Sequence, residues 1–390
     1  MNKFPSLIAF LTVFLTLYGL LHYYFYRKTV NAFQIEGWGN ILFIIIFCIL
    51  LLSPIILQIL EGSDIVFLKT VLAYVGYFWM GILFLAFSIY LLIDIYQIVI
   101  SISSRVFSPG LLKYIPEARA TFFAVLFIVA VINIYGFFEA GDIRVERIKV
   151  KTSKLPPGIS SLRVVQISDI HFSATNGLGS ARKITEILKD LKPDLLVSSG
   201  DLIDRDLRNK EEVEGLLAGI NAPYGKFAST GNHEFISGIK ESTEFTEKAG
   251  FRMLRNEVVD VDGFINIAAI DDPAGKTFGD SQQIPEETVI DKLNPHHLNI
   301  FLKHQPQVEK DSIGKFDIQL SGHTHKGQIF PFTLFVSIFY KYMNGFFELG
   351  NGSSLYVSRG TGTWGPPIRF LTFPEITVIE FSQLESFNNE

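Results

Sequence analysis

Long uncharged stretches fill the first 140 residues of this chain and decide most of what it can fold into. Phe4–Tyr26, Ile41–Leu60, Val71–Ile93 and Thr121–Phe138 contain no Asp, Glu, Lys or Arg. A helix needs about 20 apolar residues to cross a hydrocarbon core roughly 30 Å thick. The first three stretches meet that length and the fourth is at its lower limit. Helices buried in a soluble core rarely stay uncharged for so long. A cleaved leader has a shorter apolar run, and three further stretches would not follow it. The expectation is an N-terminal bundle of about four transmembrane helices. Aromatic residues gather at its ends, in Tyr23 to Tyr26 and at Phe137 and Phe138, as in an interfacial belt. Pro54 inside the second stretch is tolerated where neighbouring helices support the backbone.

Charge separates this part from the rest. Only 13 of the 73 Asp, Glu, Lys and Arg residues lie in residues 1–140, so the remaining 250 read as a water-soluble domain of net charge −6. That acidity argues against nucleic acid, which calls for a basic stripe. The single cysteine, Cys48, lies in an apolar run and excludes an intramolecular disulfide, a cysteine metal site and a catalytic thiol. It reads as packing material. Four spans put the N-terminus and the soluble domain on one side of the membrane. The first and third loops carry Arg27, Lys28, Arg105, Lys113 and Arg119; the opposite side carries Lys3 and Lys69, then a basic run from Arg144 to Lys154. If that run is part of the folded domain, the orientation rule favours a multi-pass protein with its domain outside the cytoplasm; if it is a juxtamembrane tail, the orientation reverses. The first reading is the preferred expectation.

From residue 160 on, strand and helix patterns alternate. Leu162–Ser168, Asp194–Ser199 and Lys226–Thr230 read as strands, with helices over Ala181–Leu191 and Glu211–Ile220 between them. This is a βαβαβ pattern and implies an α/β sheet. Phe264–Ile270, Leu298–Leu302, Asp317–Leu320, Ser354–Val357 and Glu375–Glu380 add further strands. Two packed mixed sheets flanked by helices are expected. The expected divisions are a membrane domain over 1–140, a linker and domain entry over 141–160 marked by Pro156-Pro157-Gly158, a catalytic domain over 161–384 and a tail over 385–390.

Short clusters of metal-ligand residue types follow the expected strand ends. In order they are Asp169 and His171; Gly200, Asp201 and Asp204; Gly231, Asn232, His233 and Glu234; Lys303 and His304; and Gly322, His323 and His325. Five of the eight histidines fall in them. Loops at the carboxyl ends of strands are where α/β sheets place their sites. Imidazole and carboxylate without thiolate suit manganese, iron or zinc, and manganese is the first expectation. One carboxylate bridging two cations about 3.5–4 Å apart can clamp both oxygens of an in-line displacement at phosphorus. A single Asp-x-His is weak evidence; five clusters in order are not a chance arrangement.

With these five blocks, spread over about Arg163–Ile379, the sequence resembles the calcineurin-like metallophosphoesterase superfamily. It is most similar to the membrane-associated bacterial branch, transmembrane proteins with a metallophosphoesterase domain. Two further runs support that branch: Gly327-Gln328-Ile329 after the last His, and Tyr356 to Gly362 followed by Pro366 to Arg369 and Pro374 to Ile376. The resemblance implies a four-layer α/β/β/α sandwich and two divalent metal ions. Asp169, His171 and His325 would hold one ion, Asn232, His304 and His323 the other, and Asp201 would bridge them. A hydroxide between the ions would attack phosphorus. His233 would act as the catalytic acid or stabilise the leaving oxygen, and Asp204 would orient a neighbour. Lys326 stands where this branch usually has Gly, either meeting substrate phosphate or solvated. With Arg359 and Arg369 it is a candidate substrate contact.

The segment Phe330–Phe347 is apolar but too interrupted to span a bilayer. It reads either as buried strand and loop or as an apolar flap beside the metals at the membrane interface. With the anchor, the second reading implies a phosphorylated, lipid-linked substrate and membrane lipids as partners. The expected function is hydrolysis of a phosphoester or pyrophosphate bond. The alternatives are a phosphodiesterase or nuclease acting on soluble nucleotides or nucleic acid, and a non-catalytic membrane sensor.

Overall fold

A computed structural model of the protein describes residues 4–60, 65–205, 207–278 and 284–384; for residues 4–11 and 66 it describes the backbone alone. The expected tail, 385–390, lies outside the described residues. The chain divides into two units, one of residues up to Phe138 together with Gly365–Ile368, the other of Glu139–Trp364 and the residues from Arg369 on.

The first unit is built from helices α1 (Phe4–Phe33), α2 (Gly37–Ile59), α3 (Val66–Val106) and α4 (Ala118–Gly141). Among the described residues three stretches are long and apolar enough to cross a membrane: Gly37–Ile59, Phe67–Val106 and Ala118–Gly141. The remaining expected span, Phe4–Tyr26, is helical throughout within α1, and its first residues fall among those without described side chains. α3 is nearly twice as long as the expected Val71–Ile93. At 1.5 Å per residue its 41 residues reach about 60 Å, so it outruns a hydrocarbon core. Several polar side chains inside the unit are paired, as a medium without water favours, although the Tyr18 hydroxyl and Asn133 Oδ1 have no hydrogen-bond partner. Trp79 donates to His22 Nε2 at 2.9 Å, His22 Nδ1 donates to the Tyr18 carbonyl at 2.8 Å, and Asp94 takes both Lys28 and the Tyr24 hydroxyl. Cys48 is exposed, so it faces outward and is not the packing residue expected.

The second unit carries two six-stranded sheets. Their strands are β1 (Arg144–Thr152), β2 (Ser161–Ile167), β3 (Leu195–Ser198), β4 (Lys226–Ala228), β5 (Arg252–Met253), β6 (Glu257–Val261), β7 (Ile265–Ala269), β8 (Leu298–Leu302), β9 (Ile318–Ser321), β10 (Gly345–Gly350), β11 (Ser353–Val357) and β12 (Glu375–Gln383). One sheet runs β1-β12-β2-β3-β4-β5 and the other β10-β11-β9-β8-β7-β6. The helices are α5 (Leu178–Leu191), α6 (Lys210–Ala218), α7 (Asn232–Ser237), α8 (Ile239–Lys248), the short α9 (Ala274–Thr277) and α10 (Glu287–Ile290), and α11 (Phe332–Phe339).

Strand periodicity explains the layers. In β2, Leu162 and Val164 point into a core shared with Ile265, Ile300, Leu302 and Ile318 of the second sheet. Val165 and Ile167 point the other way, onto Ile184 and Leu188 of α5, Leu217 of α6 and Phe245 of α8. Phe301 of β8 packs outward against Val289 and Ile290 of α10. Alternate residues therefore serve two cores, and four layers follow. The expected linker is corrected here. Residues 144–152 form β1, paired in parallel with β12 from Arg144↔Glu375 to Thr152↔Gln383. Its alternation of charged and aliphatic residues half-buries one face, which hides it from a search for apolar runs.

Candidate metal centre

Each ligand-type cluster sits just past the carboxyl end of a parallel strand. Asp169 and His171 follow β2, Asp201 follows β3, Asn232 and His233 follow β4, His304 follows β8, and His323 and His325 follow β9. The sandwich brings the ends of both sheets together, so residues more than 150 positions apart become neighbours. Asp169, His171, Asp201, His323 and His325 all have left-handed backbones, with φ between 46° and 71°. This conformation costs an L-residue about 1–2 kcal/mol. Five such residues in one place indicate that the surrounding fold holds them against that cost, as functional sites do.

The donor atoms converge into two groups. His171 Nε2 lies 3.1 Å from His325 Nε2, and His325 Nε2 lies 3.5 Å from Asp169 Oδ1. His304 Nε2 lies 3.1 Å from Asp201 Oδ2 and 3.3 Å from His323 Nδ1, which is 3.0 Å from Asn232 Oδ1. Asp201 stands between the groups, with Oδ2 also 3.7 Å from His171 Nε2. Ligand bonds of about 2.1 Å put adjacent ligand atoms about 3.0–3.4 Å apart around one ion, so these spacings suit coordination. Tautomers agree. His304 Nδ1 donates to the Ser199 carbonyl at 2.8 Å, and His171 Nδ1 meets Asp204 Oδ1 at 3.1 Å. Each ring thus presents a lone pair on Nε2. His171 and His325 bring their Nε2 atoms to 3.1 Å of each other, a spacing that two ligands of one ion can have.

Buried groups fix the donors. A line of hydrogen bonds runs from Gln166 through Ser199 and Ser168 to Asp169 Oδ2, the last at 2.5 Å. Glu234 belongs to a ligand-type cluster, yet the sequence assigns it no task. Its carboxylate accepts from the backbone N–H groups of Asp201 at 3.0 Å, Leu202 at 2.8 Å and Gly231 at 2.6 Å, and so ties the Asp201 and Asn232 turns together. The available sequence signal is its place three residues after the N-cap of α7, where a Glu reaches back to the cap. Gly231 is required by space: a Cβ there would lie 2.2 Å from Asp201 Oδ1.

The cationic candidates are dispersed. Arg369 is fully buried and donates to the carbonyls of Arg359 at 2.9 Å and Gly362 at 2.6 Å, with Nη2 3.4 Å from His325 Nδ1. It stands behind His325 with no face open to a substrate, which corrects the expected contact role. Arg359 pairs with Glu375 and with Glu146 at 3.4 Å. Lys326 is half-buried beside His325, and burial lowers its ammonium below the usual lysine value. Trp364, whose ring lies 6.1 Å from that of His233, carries no motif that marks it in the sequence.

Electrostatics describe a centre made for cations. Burial raises the Asp169 carboxyl, whereas His304 and His233 overcome burial at Asp201 and hold it well below the carboxylate range. Burial lowers His323 to about 3 and, with His171 beside it, lowers His325 well below its usual value, so both stay neutral donors. Buried carboxylates and neutral imidazoles together attract divalent ions. Asp204 Oδ1 also holds His233 Nδ1 at 2.7 Å. Burial opposes charge on His233, but Asp204 and then Asp201 raise it to about 9.

A two-sheet α/β sandwich with imidazole and carboxylate donors at the strand ends has the donor set of a divalent-metal site. Comparison with known proteins narrows the class. The family model described as calcineurin-like phosphoesterase matches residues 162–327. An uncharacterized metallophosphoesterase of Aquifex aeolicus is 36% identical over 256 residues, 65% of this chain and 97% of that protein. One of Campylobacter jejuni is 28% identical over 381 residues, covering 95% of this chain and 98% of the other. A transmembrane protein with metallophosphoesterase domain from Danio rerio is 29% identical over 66% of this chain and 62% of its own length. The chain belongs to the calcineurin-like phosphoesterase family.

Proposed function

We propose that this protein is a membrane-anchored phosphoesterase that uses two divalent ions to hydrolyse a phosphoester or pyrophosphate bond in a lipid-linked substrate. The observation that carries the lipid half of this reading is strand register. β12 pairs in parallel with β1, Arg144 opposite Glu375, and antiparallel with β2, Thr377 opposite Gln166. The start of β1 and the ligand-bearing end of β2 therefore share one edge of the sheet. They are two strand spacings apart, about 10 Å. α4 ends at Gly141, so two residues separate an apolar helix from that edge. A chain leaving a bilayer there holds the donor cluster close to the lipid surface.

Asp169, His171 and His325 would bind one ion, Asn232, His304 and His323 the other, and Asp201 both. Bound there, two divalent ions supply the Lewis acid that polarises the phosphoryl group and activates water. The donor atoms of His171, Asp201 and His233 also lie within 4.8 Å of one another, so proximity alone does not separate ligand from proton donor at His233. Asp204, 2.7 Å from His233 Nδ1, and Asp201 raise that imidazole to about 9, which supports a proton-carrying role for it at the departing oxygen.

The test is a substrate panel on the full chain in lipid nanodiscs, with metal content measured on the same preparation. Phospholipid and nucleotide-linked lipid should be cleaved in preference to soluble nucleotides; preference for the soluble compounds would reduce the membrane unit to a locating anchor. A second expectation uses α11. Phe335→Ser with Phe339→Ser should raise KM for a lipid substrate severalfold and leave turnover of a small soluble diester unchanged. A parallel fall in both would mean that α11 supports the neighbouring donor turn and does not bind lipid.

β1 supports one orientation. Because Arg144–Thr152 is a strand of the folded domain, its charges count little in the orientation rule, and the loop charges then favour a domain outside the cytoplasm. In a Cys48→Ser background, Lys248→Cys should react with a membrane-impermeant maleimide in intact cells. Reaction only after lysis would put the domain in the cytoplasm.

A further inference from the structure

We infer that α11 is an interfacial helix that inserts its outer face into the bilayer beside the donor cluster. The sequence admits Phe330–Phe347 as either core or flap. Every described side chain of α11 is exposed or half-buried, which removes the core reading. Its amphipathicity is reversed. At 100° per residue, Phe332, Leu334, Phe335, Ile338 and Phe339 share one side of the helix. That side is the exposed one, with Ile338 75% and Phe339 79% accessible. The inner side carries Thr333, whose hydroxyl donates to the Lys326 carbonyl at 2.9 Å. A water-facing helix turns its apolar stripe toward the protein. A helix that turns it away is solvated by something other than water.

The surroundings commit the occupant to lipid. α11 is fastened to the ligand turn at both ends, by Thr333 at its start and, just past its end, by Tyr340, whose ring lies 5.4 Å from that of His323. Before it, Ile329 pairs with Phe370, beside Leu371, which is 59% exposed and extends the apolar surface. After it come exposed Lys341 and then Tyr342, the residue types that sit at anionic headgroups. The same end of the domain is where the chain arrives from α4. A soluble protein partner would need only an apolar patch. It would not need that patch at the end of the domain where the chain arrives from an apolar helix.

Depth measurement tests this on the full chain. Cys48 is the only cysteine, so Cys48→Ser with Ile338→Cys gives one labelling site. A fluorophore there, in single-copy nanodiscs of phosphatidylcholine and phosphatidylglycerol, should be quenched severalfold more by lipid-borne spin label than by aqueous iodide. The same fluorophore at Lys248→Cys, on the exposed end of α8, should show the opposite order. Phe339→Cys repeats the measurement should the Ile338 replacement itself detach the helix. Equal iodide quenching at all three sites overturns the inference. So does shielding that appears only when two copies share a disc, which would make a second copy the occupant. The label reads depth whether or not any lipid is cleaved, so this result and the substrate result fail separately.

Discussion

Asp201→Asn will leave the fold intact, empty much of the metal and abolish most turnover. Asp201 stands between the two donor groups, at 3.1 Å from His304 Nε2 and 3.7 Å from His171 Nε2, nearer to the second group than Asp169, whose Oδ1 is 3.9 Å from His304 Nε2. Asparagine keeps the shape and can still accept from the His233 N–H, which reaches Oδ1 at 2.8 Å. What it removes is charge, in a place where burial leaves water no means of replacing it. Removing an outer partner of a metal ligand typically costs about 10–100-fold in affinity or activity. A shared ligand should exceed that, because both ions lose it. Metal analysis and activity are measured on the same preparation. A fully active, fully loaded Asp201→Asn protein would sink the two-ion reading.

His233→Ala should separate chemistry from metal retention. Its ring is joined to Asp204 at 2.7 Å, and Asp204 also holds His171 at 3.1 Å, so one carboxylate orients a candidate ligand and a candidate proton donor. Loss of a general acid typically costs about 10²–10⁴-fold. The loss should be large for an alkyl leaving group, which must be protonated as it departs, and small for nitrophenolate, which leaves as the anion. Metal content should be unchanged. Equal losses on both substrates would remove the acid role, and loss of metal would make His233 a ligand. Alanine in place of a half-buried ring should be tolerated by the fold, since α7 is capped by Glu234 and not by His233.

The strands that carry ligands are legible in the sequence within a few residues, because each is an apolar run buried on both faces and ending in a polar cluster. β2, β3, β8 and β9 are of this kind. β1, β6 and β10 are not legible in the same way. Their burial alternates or is partial, so tertiary pairing decides them and local composition does not. Glu234 is visible in its cluster, but its task is not, because its three backbone partners lie on two separate turns.

By itself the sequence determined that an apolar helical part precedes an α/β domain, and it picked out the ligand-type clusters that the fold brings together. Both follow from local rules: charge cannot stay in hydrocarbon, and ligand types gather at strand ends. Tertiary structure alone decided that Arg369 stands behind His325, that α11 turns its apolar side outward, and that β1 starts on the ligand-bearing edge. Those facts depend on which strands pair and in what register. No local pattern encodes register, because a strand of alternating residues presents the same period to any neighbour until the fold brings one alongside.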